Sequence, residues 1–475
     1  MITLLEIAER AYMGPKTPEN DWNIGLFNKM QELEERHGLD YSGPEIFFNV
    51  PDDYADRAFQ AAIDFLVEMG VYCVTTNRII NLTENEVREA IREAPGEFTI
   101  GAGRDARTIR KREVEDRQAV NVIGGGHWPW PEDVGCRIMK NYAQVLRADI
   151  VEGFNLNVVS GREIKGLPMQ VYAMKREAAQ MREAVRRAGR PGMAITLYII
   201  STKAAALMAP MNPDAGLRPS DGILLSVLPD TKIEADMIAA AIAYEEYGSY
   251  KVNGGAFASI GGFCGGVQGA IIETIVKHLV AWIVYRDRIQ YNGTAGRYLF
   301  GQRTQNERPS LIWPTFVVHN ALSRNSNLIR FGGIENMLFS KLWFPKFGSE
   351  AFLLSKAGSA VANTVLGANL NLIGYQTPYD VEFSIDVSEA TIKAGIKREE
   401  VGEILQNIDG MIEKKYVPEA EDWPIDRRMM AYKDYDRYLG TLENFFDFDR
   451  GWPKKEYIET AEKVIKDLRD VGLHL

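Results

Sequence analysis

Short apolar runs alternate with longer segments of helical spacing along most of this chain, and that alternation restricts the possible fold more than any other feature. Eight apolar runs occur between "AVNVIG", which begins at Ala119, and "ANLNLIG", which ends at Gly374. Strand and helix in regular alternation are typical of parallel βα units. About eight units over roughly 280 residues match the size of a TIM barrel. We therefore predict an α/β fold of the (β/α)8 barrel type.

A doubly wound open sheet is the alternative, because periodicity alone does not separate the two parallel α/β folds. We favour the barrel because no GxGxxG fingerprint follows the first strand. Helical patterns flank the alternation on both sides, and one of them begins with a capping box formed by Thr83 and Glu86. The sequence thus predicts a helical N-terminal extension at 1–96, the barrel at 97–397 and a helical C-terminal cap at 398–475.

Charge and cysteine content exclude several classes of protein. The net charge of −10 opposes nucleic-acid binding, which usually requires a basic surface. Cys73, Cys136 and Cys264 are far apart and form no CxxC pair, which is typical of a reduced intracellular protein. The N-terminus lacks the basic region of a signal peptide, and no apolar run approaches the ~20 residues of a membrane span. We expect a cytoplasmic protein with neither nucleic-acid nor membrane partners.

Polar side chains follow the ends of the predicted strands, where TIM barrels carry their working residues. This expected mouth is rich in amides and poor in carboxylates, with Glu152 as the one acid inside a strand. A hydrolase using two carboxylates is therefore disfavoured. We predict Glu152, Thr196 and Asn253 as catalytic residues. The residues predicted to bind substrate are His127, Trp128, Trp130, Asn155, Tyr198, Tyr291 and Arg330.

Two glycine-rich segments are candidates for close approach to a large ligand. The first contains Gly124, Gly125 and Gly126 and precedes His127, Trp128 and Trp130, which would form either an aromatic wall for a cation or a packed turn. The second, "IGGFCGGVQG", contains Gly261, Gly262 and Gly265 and opens a helix. A helix N-terminus would lower the pKa of Cys264, although a packing role is the simpler interpretation for that residue.

Two further patterns carry weaker hypotheses. Residues 104–112 form a local basic cluster on an acidic protein, which is either a solvated face or a docking site for an acidic partner. His127 and Cys136 are imaginable zinc ligands, but no third ligand joins them at a recognised spacing, so we predict no metal site.

The chain resembles the monomethylamine:corrinoid protein methyltransferases of methylotrophic methanogens over nearly its whole length. The resemblance is carried by the order and spacing of several stretches, which are "ELEERHGLDYSG", "GVYCVTTNRIINLTENEVREAI", "GAGRDARTIRKREV", "AGRPGM", "GGFCGG" and "LRDVGLHL". It implies a TIM barrel that moves a methyl group from an amine to the Co(I) corrinoid of a separate carrier protein. We also expect a homo-oligomer.

The resemblance further implies a departure at the centre of the site. Family members use pyrrolysine, whose electrophilic imine captures the amine, and that residue follows the "AGRPGM" turn closely. The matching position here is Thr196. The carboxylate that contacts pyrrolysine in the family falls at Gly255, a second acid falls near Leu224, and the Gln and Tyr of the site fall within 329–332, where neither type occurs.

Three functional hypotheses follow. The first is a pyrrolysine-free, corrinoid-dependent methyltransferase acting on a quaternary amine, whose methyl group is already activated by the positive nitrogen. Trp128, Trp130, Tyr198 and Tyr291 would face the cation, and Arg330 or His127 would hold the carboxylate of a betaine. The second is a zinc-assisted methyltransferase for a methyl thiol or ether. The third is a non-catalytic homologue that binds a corrinoid protein or a small ligand.

Overall fold

Eight parallel strands close into a barrel in the structure, which is a computed structural model. It describes residues 1–40, 50–126, 130–198, 200–254, 258–292, 297–298, 309–332, 346–374, 376–421 and 435–475. The barrel strands in chain order are β5 (Val122–Gly125), β6 (Ile150–Glu152), β9 (Ala194–Leu197), β10 (Gly222–Leu225), β12 (Tyr250–Asn253), β14 (Ile289–Asn292), β16 (Ile329–Gly332) and β17 (Asn369–Leu372). Each corresponds to one of the eight apolar runs, so the predicted (β/α)8 barrel is confirmed.

One helix follows each barrel strand and covers the outside of the sheet. These helices are α5 (Glu132–Ala143), α6 (Leu167–Arg187), α7 (Ala204–Met208), α8 (Ala235–Tyr247), α9 (Val267–Val280), α10 (Pro309–Asn325), α11 (Glu350–Val365) and α12 (Pro378–Ala394). A glycine ends α8, because Gly248 adopts the left-handed conformation (φ +85°) that side chains disfavour. The apolar faces of the helices and the outward residues of the strands form one continuous core.

Helix α9 and the π-helical segment after it (Ala281–Tyr285) are unusually apolar. Residues Val267–Tyr285 are long and apolar enough to cross a membrane by length and composition, in contrast to the expectation from the sequence. However, 94% of the most apolar window is buried inside the protein, as in the core helix of a globular fold. The N-terminal helices and α10 supply much of this cover, since α3 (Asp52–Glu68) packs against both α9 and α10.

Helical segments flank the barrel at both ends of the chain. The N-terminal segment contains α1 (Leu4–Met13), α2 (Glu19–Arg36), α3 (Asp52–Glu68), β1 (Val71–Cys73), β2 (Arg78–Ile80) and α4 (Glu84–Glu93). The C-terminal segment contains α13 (Arg398–Glu421), α14 (Tyr435–Glu443), β18 (Phe446–Asp447), β19 (Trp452–Pro453) and α15 (Lys455–Arg469). Strand β1 pairs in parallel with β11 (Lys232–Ile233), which lies in the connection after β10. The N-terminal segment is thereby hydrogen-bonded to the barrel domain.

A β-hairpin closes the N-terminal end of the barrel. It consists of β3 (Glu97–Ile100) and β4 (Arg107–Arg110), and its Ile100 and Ile109 pack with Ile123, Ile150 and Ile329 from the beginnings of barrel strands. The hairpin backbone is bonded to residues that immediately precede strands, because the N–H of residue 102 donates to the carbonyl of residue 192 at 2.8 Å. One end of the barrel interior is therefore filled with aliphatic side chains.

The basic cluster at 104–112 lies on and beside this hairpin, at the opposite end from the mouth. Arg112 is buried, and its guanidinium donates to the carbonyl oxygens of Thr364 and Ala368 at 3.1 and 2.9 Å. Arg110 pairs with Glu97 at 3.3 Å. The cluster therefore lies away from the mouth, and its buried member Arg112 braces the closed end of the barrel.

Candidate active site

On β6, β9 and β14, the residues that face the barrel interior change from apolar to polar along the strand. Ile123, Ile150, Ala194 and Ile289 belong to the interior cluster and stand at or near the beginnings of their strands. Side chains on a strand alternate between its two faces, so the residues two positions later also face inward. After Ile150, Ala194 and Ile289, those residues are Glu152, Thr196 and Tyr291. The C-terminal half of the interior is therefore the polar half, where TIM barrels place their active sites.

Glu152 and Tyr291 are hydrogen-bonded across the barrel. The phenol of Tyr291 donates to Oε2 of Glu152, and both side chains are buried. Their strands, β6 and β14, are four positions apart in either direction around the closed sheet, so the pair spans the interior. Burial raises the pKa of the Glu152 carboxyl to about 8, and the bond from Tyr291 opposes that rise. Near neutral pH this carboxyl is therefore mainly protonated.

Thr196 lies in the second half of β9 and faces the interior, as the sequence predicted. Its Oγ1 is 2.8 Å from the hydroxyl of Tyr250, which begins β12. Gly222 of β10 lies between them in the register, opposite Thr196 on one side and Tyr250 on the other. A Cβ at Gly222 would be 2.2 Å from the Tyr250 ring, so glycine allows this ring to cross β10. The Thr196 hydroxyl is thus engaged by a phenol.

Sequence reasoning missed Tyr250 because that residue stands at the beginning of its strand rather than at its end. Two signals could have found it, namely the inward alternation of Tyr250 with Val252 and the unusual glycine that starts β10. The Tyr250 hydroxyl also donates to the backbone carbonyl of Ile195 at 3.3 Å, so two groups of β9 hold that hydroxyl in place. Tyr250 therefore belongs with Thr196 in the floor of the polar half.

Three other described residues border this polar half. Tyr198 follows β9 and packs against the interior cluster. The side-chain nitrogen of Asn155 and the Oδ1 of Asn371 are buried and make no hydrogen bond to any residue that the structure describes. Buried polar atoms usually have partners, so these amides are available to a bound molecule. Asn155 was among the predicted substrate-binding residues, and Asn371 is in register with Ile123, which faces the interior.

Two predicted site residues point away from the interior. Asn253 donates to Oε1 of Gln290 at 3.1 Å, and the same oxygen lies 3.2 Å from Nδ1 of His278 on α9. Arg330 donates to the carbonyls of His319 and Gly367 at 2.9 and 2.8 Å, and burial lowers its pKa to about 9. Their neighbours Val252 and Phe331 face inward. The predicted roles of Asn253 in catalysis and of Arg330 in binding a carboxylate are therefore wrong.

The three glycines at the end of β5 have side-chain positions that face neighbouring elements. The side-chain positions of Gly124 and Gly126 face helices, because a Cβ would lie 3.5 Å from Val381 and 3.3 Å from Met139. Gly125 faces the neighbouring strand, where a Cβ would be 2.4 Å from the carbonyl oxygen of Glu152. Trp130 is buried and donates to the carbonyl of Gly126 at 3.1 Å. Trp130 thus stabilises the turn, while His127 and Trp128 lie outside the described residues.

The second glycine loop lies at the mouth, between β12 and α9. Gly261 has a φ of +83° and open space beside its Cα, and the exposed Phe263 follows it. Gly262 accepts a hydrogen bond from the N–H of Gly265 at 3.0 Å, which keeps the loop compact. Cys264 is buried, and burial raises the pKa of its thiol, so the suggested lowering by the helix terminus is wrong.

No group of three His, Cys, Asp or Glu side chains within the described ranges is arranged to hold a metal ion. Cys136 lies on α5, half-buried, and burial raises the pKa of its thiol. Its suggested partner, His127, is not among the described residues.

The closed parallel barrel, with one plugged end and a polar half at the other, defines a TIM-barrel protein of the kind that carries its site at the C-terminal mouth. The family model "Monomethylamine methyltransferase MtmB" matches residues 2–473. The chain therefore belongs to the MtmB monomethylamine methyltransferase family, and it is a methyltransferase.

Relatives in three Methanosarcina species are similar over almost the full length. The chain is 28% identical to monomethylamine methyltransferase MtmB of Methanosarcina mazei, covering 98% of this chain and 97% of that protein. It is 27% identical to MtmB1 of Methanosarcina acetivorans over the same shares. The crystal structure of the Methanosarcina barkeri monomethylamine methyltransferase superposes with a TM-score of 0.80 at 23% identity, covering 99% of this chain and 98% of that one.

Proposed function

We propose that this protein is a pyrrolysine-free, corrinoid-dependent methyltransferase that moves a methyl group from a quaternary amine to the Co(I) corrinoid of a carrier protein. The observation that carries the proposal is the position of Thr196 within the interior of a methyltransferase barrel. A threonine hydroxyl has no electrophilic carbon, so it cannot capture an amine as an imine does. Its bond to Tyr250 further occupies the hydroxyl.

A quaternary amine needs no such capture. Its methyl group is bonded to a positive nitrogen, and its loss leaves a neutral tertiary amine as the leaving group. The remaining tasks of the protein are to orient the methyl group toward the mouth and to exclude water. The corrinoid, when its carrier presents it, supplies the Co(I) nucleophile that accepts the methyl group.

The described interior suits a cationic methyl donor. The rings of Tyr198 and Tyr291 offer the electron-rich faces that attract quaternary nitrogen. Glu152 supplies the carboxyl group beside them. With Arg330 committed to backbone carbonyls, a betaine carboxylate would depend on the unpaired amide nitrogen of Asn155 instead.

The mouth also suits the approach of a bulky macrocycle. Among the residues that the structure describes, Gly261 has open space beside its Cα and Phe263 is exposed, so small and accessible positions lie just before α9. This supports the glycine loop at Gly261, Gly262 and Gly265 as the corrinoid-facing segment. The segment with Gly124, Gly125 and Gly126 is less suited to that role, because its side-chain positions face helices or the neighbouring strand and not open space.

The proposal is tested by incubating the purified protein with free cob(I)alamin and a panel of methyl donors, and by following the absorbance change from Co(I) to methyl-Co(III). Tetramethylammonium, choline and a betaine represent quaternary amines, while monomethylamine and dimethyl sulfide represent the alternatives. We expect methylation by at least one quaternary donor and little or none by monomethylamine. Rapid turnover of monomethylamine would contradict the proposal, as would zinc-dependent turnover of the sulfide or inactivity with every donor.

A further inference from the structure

The interior of the barrel contains a single carboxyl group on its described inward-facing strand positions and no basic side chain on them. The carboxyl belongs to Glu152, and the other polar inward groups in the C-terminal half include the hydroxyls of Thr196, Tyr250 and Tyr291 and the neutral amide of Asn371. All of these groups are uncharged when Glu152 is protonated. The described interior of the free protein is therefore electrically neutral.

A permanent cation that enters this space faces a large desolvation cost. Quaternary nitrogen cannot lose a proton, and it cannot donate a hydrogen bond to a neutral acceptor. Burying an unpaired charge is so unfavourable that proteins avoid it by pairing or by neutralisation. The only described group facing the interior that can become an anion at moderate pH is the Glu152 carboxyl. Ring faces alone offset only a small part of that cost.

We propose that Glu152 is a proton-releasing counter-ion, so that a quaternary ammonium cation binds inside the barrel mouth as the Glu152 carboxyl gives its proton to solvent. The inference rests on the proposed function and adds a charge balance to it. One positive charge enters and one leaves, so the net charge of the interior is unchanged. No bond is formed or broken other than the O–H bond of the carboxyl, whose proton passes to water or buffer.

Tyr291 has a defined part in this exchange. Its phenol donates to the Glu152 carboxyl from the opposite wall of the barrel, which favours the carboxylate form. Among the interactions of the described residues, the phenol of Tyr250 on β12 also interacts electrostatically with Glu152, and that of Tyr198 after β9 with Tyr291. Burial and the adjacent carboxyl raise the pKa of Tyr291 well above its usual value, so the phenol remains a donor. Tyr291 therefore acts as a positioning residue for the carboxylate.

The test is calorimetric titration of the protein with choline, without any corrinoid, in two buffers that differ in ionisation enthalpy. We expect release of about one proton per bound cation near neutral pH, and an affinity that falls about tenfold for each pH unit below the Glu152 pKa of about 8. The neutral carbon analogue of choline should bind without proton release.

Two variants assign the proton to its residue. Glu152→Gln should bind choline at least tenfold more weakly near pH 8 and with no linked proton. Tyr291→Phe should retain the proton release but move the pH profile upward, because the carboxylate loses its donor. Glu177→Gln is the matched control, since Glu177 is an equally buried carboxyl with a raised pKa that accepts from the N–H of Leu156. This control should release the same proton as the wild type, and circular dichroism verifies folding of each variant.

The outcomes separate this inference from the proposed function. Choline binding without proton release, or proton release that persists in Glu152→Gln, would overturn the inference while leaving a quaternary substrate in place. Failure of the wild type to bind choline, tetramethylammonium or a betaine at any pH, together with failure to methylate cob(I)alamin from them, would overturn both.

Discussion

Glu152 and Tyr291 face each other from opposite walls of the barrel and are joined by a hydrogen bond through its interior. The bond couples β6 to β14, which share no backbone hydrogen bonds. Removing either partner therefore breaks the link between two opposite strands. It also removes the Glu152 carboxyl or changes its pKa.

The first prediction concerns the pH dependence of stability. The Glu152 carboxyl has a folded pKa of about 8 and an unfolded pKa near 4.5, so the folded state binds more protons between these values. The free energy of unfolding then falls as pH rises through this window, by at most about 1.4 kcal/mol per pH unit. Glu152→Gln should lack this component. Urea unfolding across the window should show a stability gap that grows with pH in favour of the variant, and a gap that shrinks would contradict the burial argument.

A second prediction addresses the chemical role of Thr196. Thr196→Val removes the bond to Tyr250 and should cost about 1 kcal/mol of stability while lowering methyl transfer only a few-fold. A covalent nucleophile would instead be worth orders of magnitude. Thr274→Val is the control, because Thr274 makes a comparable buried bond to the carbonyl of Ala270 within α9, outside the barrel interior. Loss of all activity in a folded Thr196→Val protein would show that the hydroxyl takes part in the chemistry.

The contact between Gly222 and Tyr250 gives a third prediction. Gly222→Ala places a methyl group against the Tyr250 ring and should lower the free energy of unfolding by about 1–3 kcal/mol. In a Tyr250→Ala background the same substitution meets no ring, so its cost should largely disappear. Chemical denaturation of the wild type, both single variants and the double variant measures this coupling. Additive effects would show that the ring does not cross β10.

A fourth prediction tests the corrinoid-facing loop with a matched pair of glycines. Gly261 and Gly189 have φ values of +83° and +77°, and both have open space beside the Cα, but they lie at opposite ends of the barrel. Tryptophan at either position should impose similar backbone strain. Gly261→Trp should reduce transfer to a carrier-bound corrinoid at least tenfold, whereas Gly189→Trp should not. Equal activity of the two variants in a Co(I) absorbance assay would remove the loop from the docking face.

The strands and their order could be predicted from the sequence because each one is a short apolar run between helical segments. Which residues of a strand point into the barrel and which point toward the helices could not be predicted. Strands of a closed parallel barrel are buried on both sides and lack a polar face. Asn253 and Arg330 illustrate this limit, since each is a polar residue near a strand end whose partners lie in the helical layer. The direction of each side chain became clear only from its hydrogen bonds.

Residues 97–110 illustrate a second limit. Their apolar pattern indicates a strand, and the segment contains two, β3 and β4. These two strands pair with each other in a hairpin outside the barrel sheet. Chain position gives no information on which end of a barrel a flanking segment covers, so the sequence did not place the basic cluster at either end. The decisive contacts are those between the hairpin and the residues that precede β9 and β10.

The hairpin also has a kinetic consequence under the proposed function. Because the hairpin closes the N-terminal end of the barrel, substrate and product would enter and leave through the C-terminal mouth. A docked carrier protein would cover that mouth. The small methyl donor must then arrive before the carrier, and the demethylated amine must leave after it. Steady-state kinetics should accordingly show a compulsory order of addition, and excess carrier should inhibit turnover by trapping the empty barrel. The order of events at the mouth is thus set by fourteen residues at the far end of the molecule, Glu97 to Arg110.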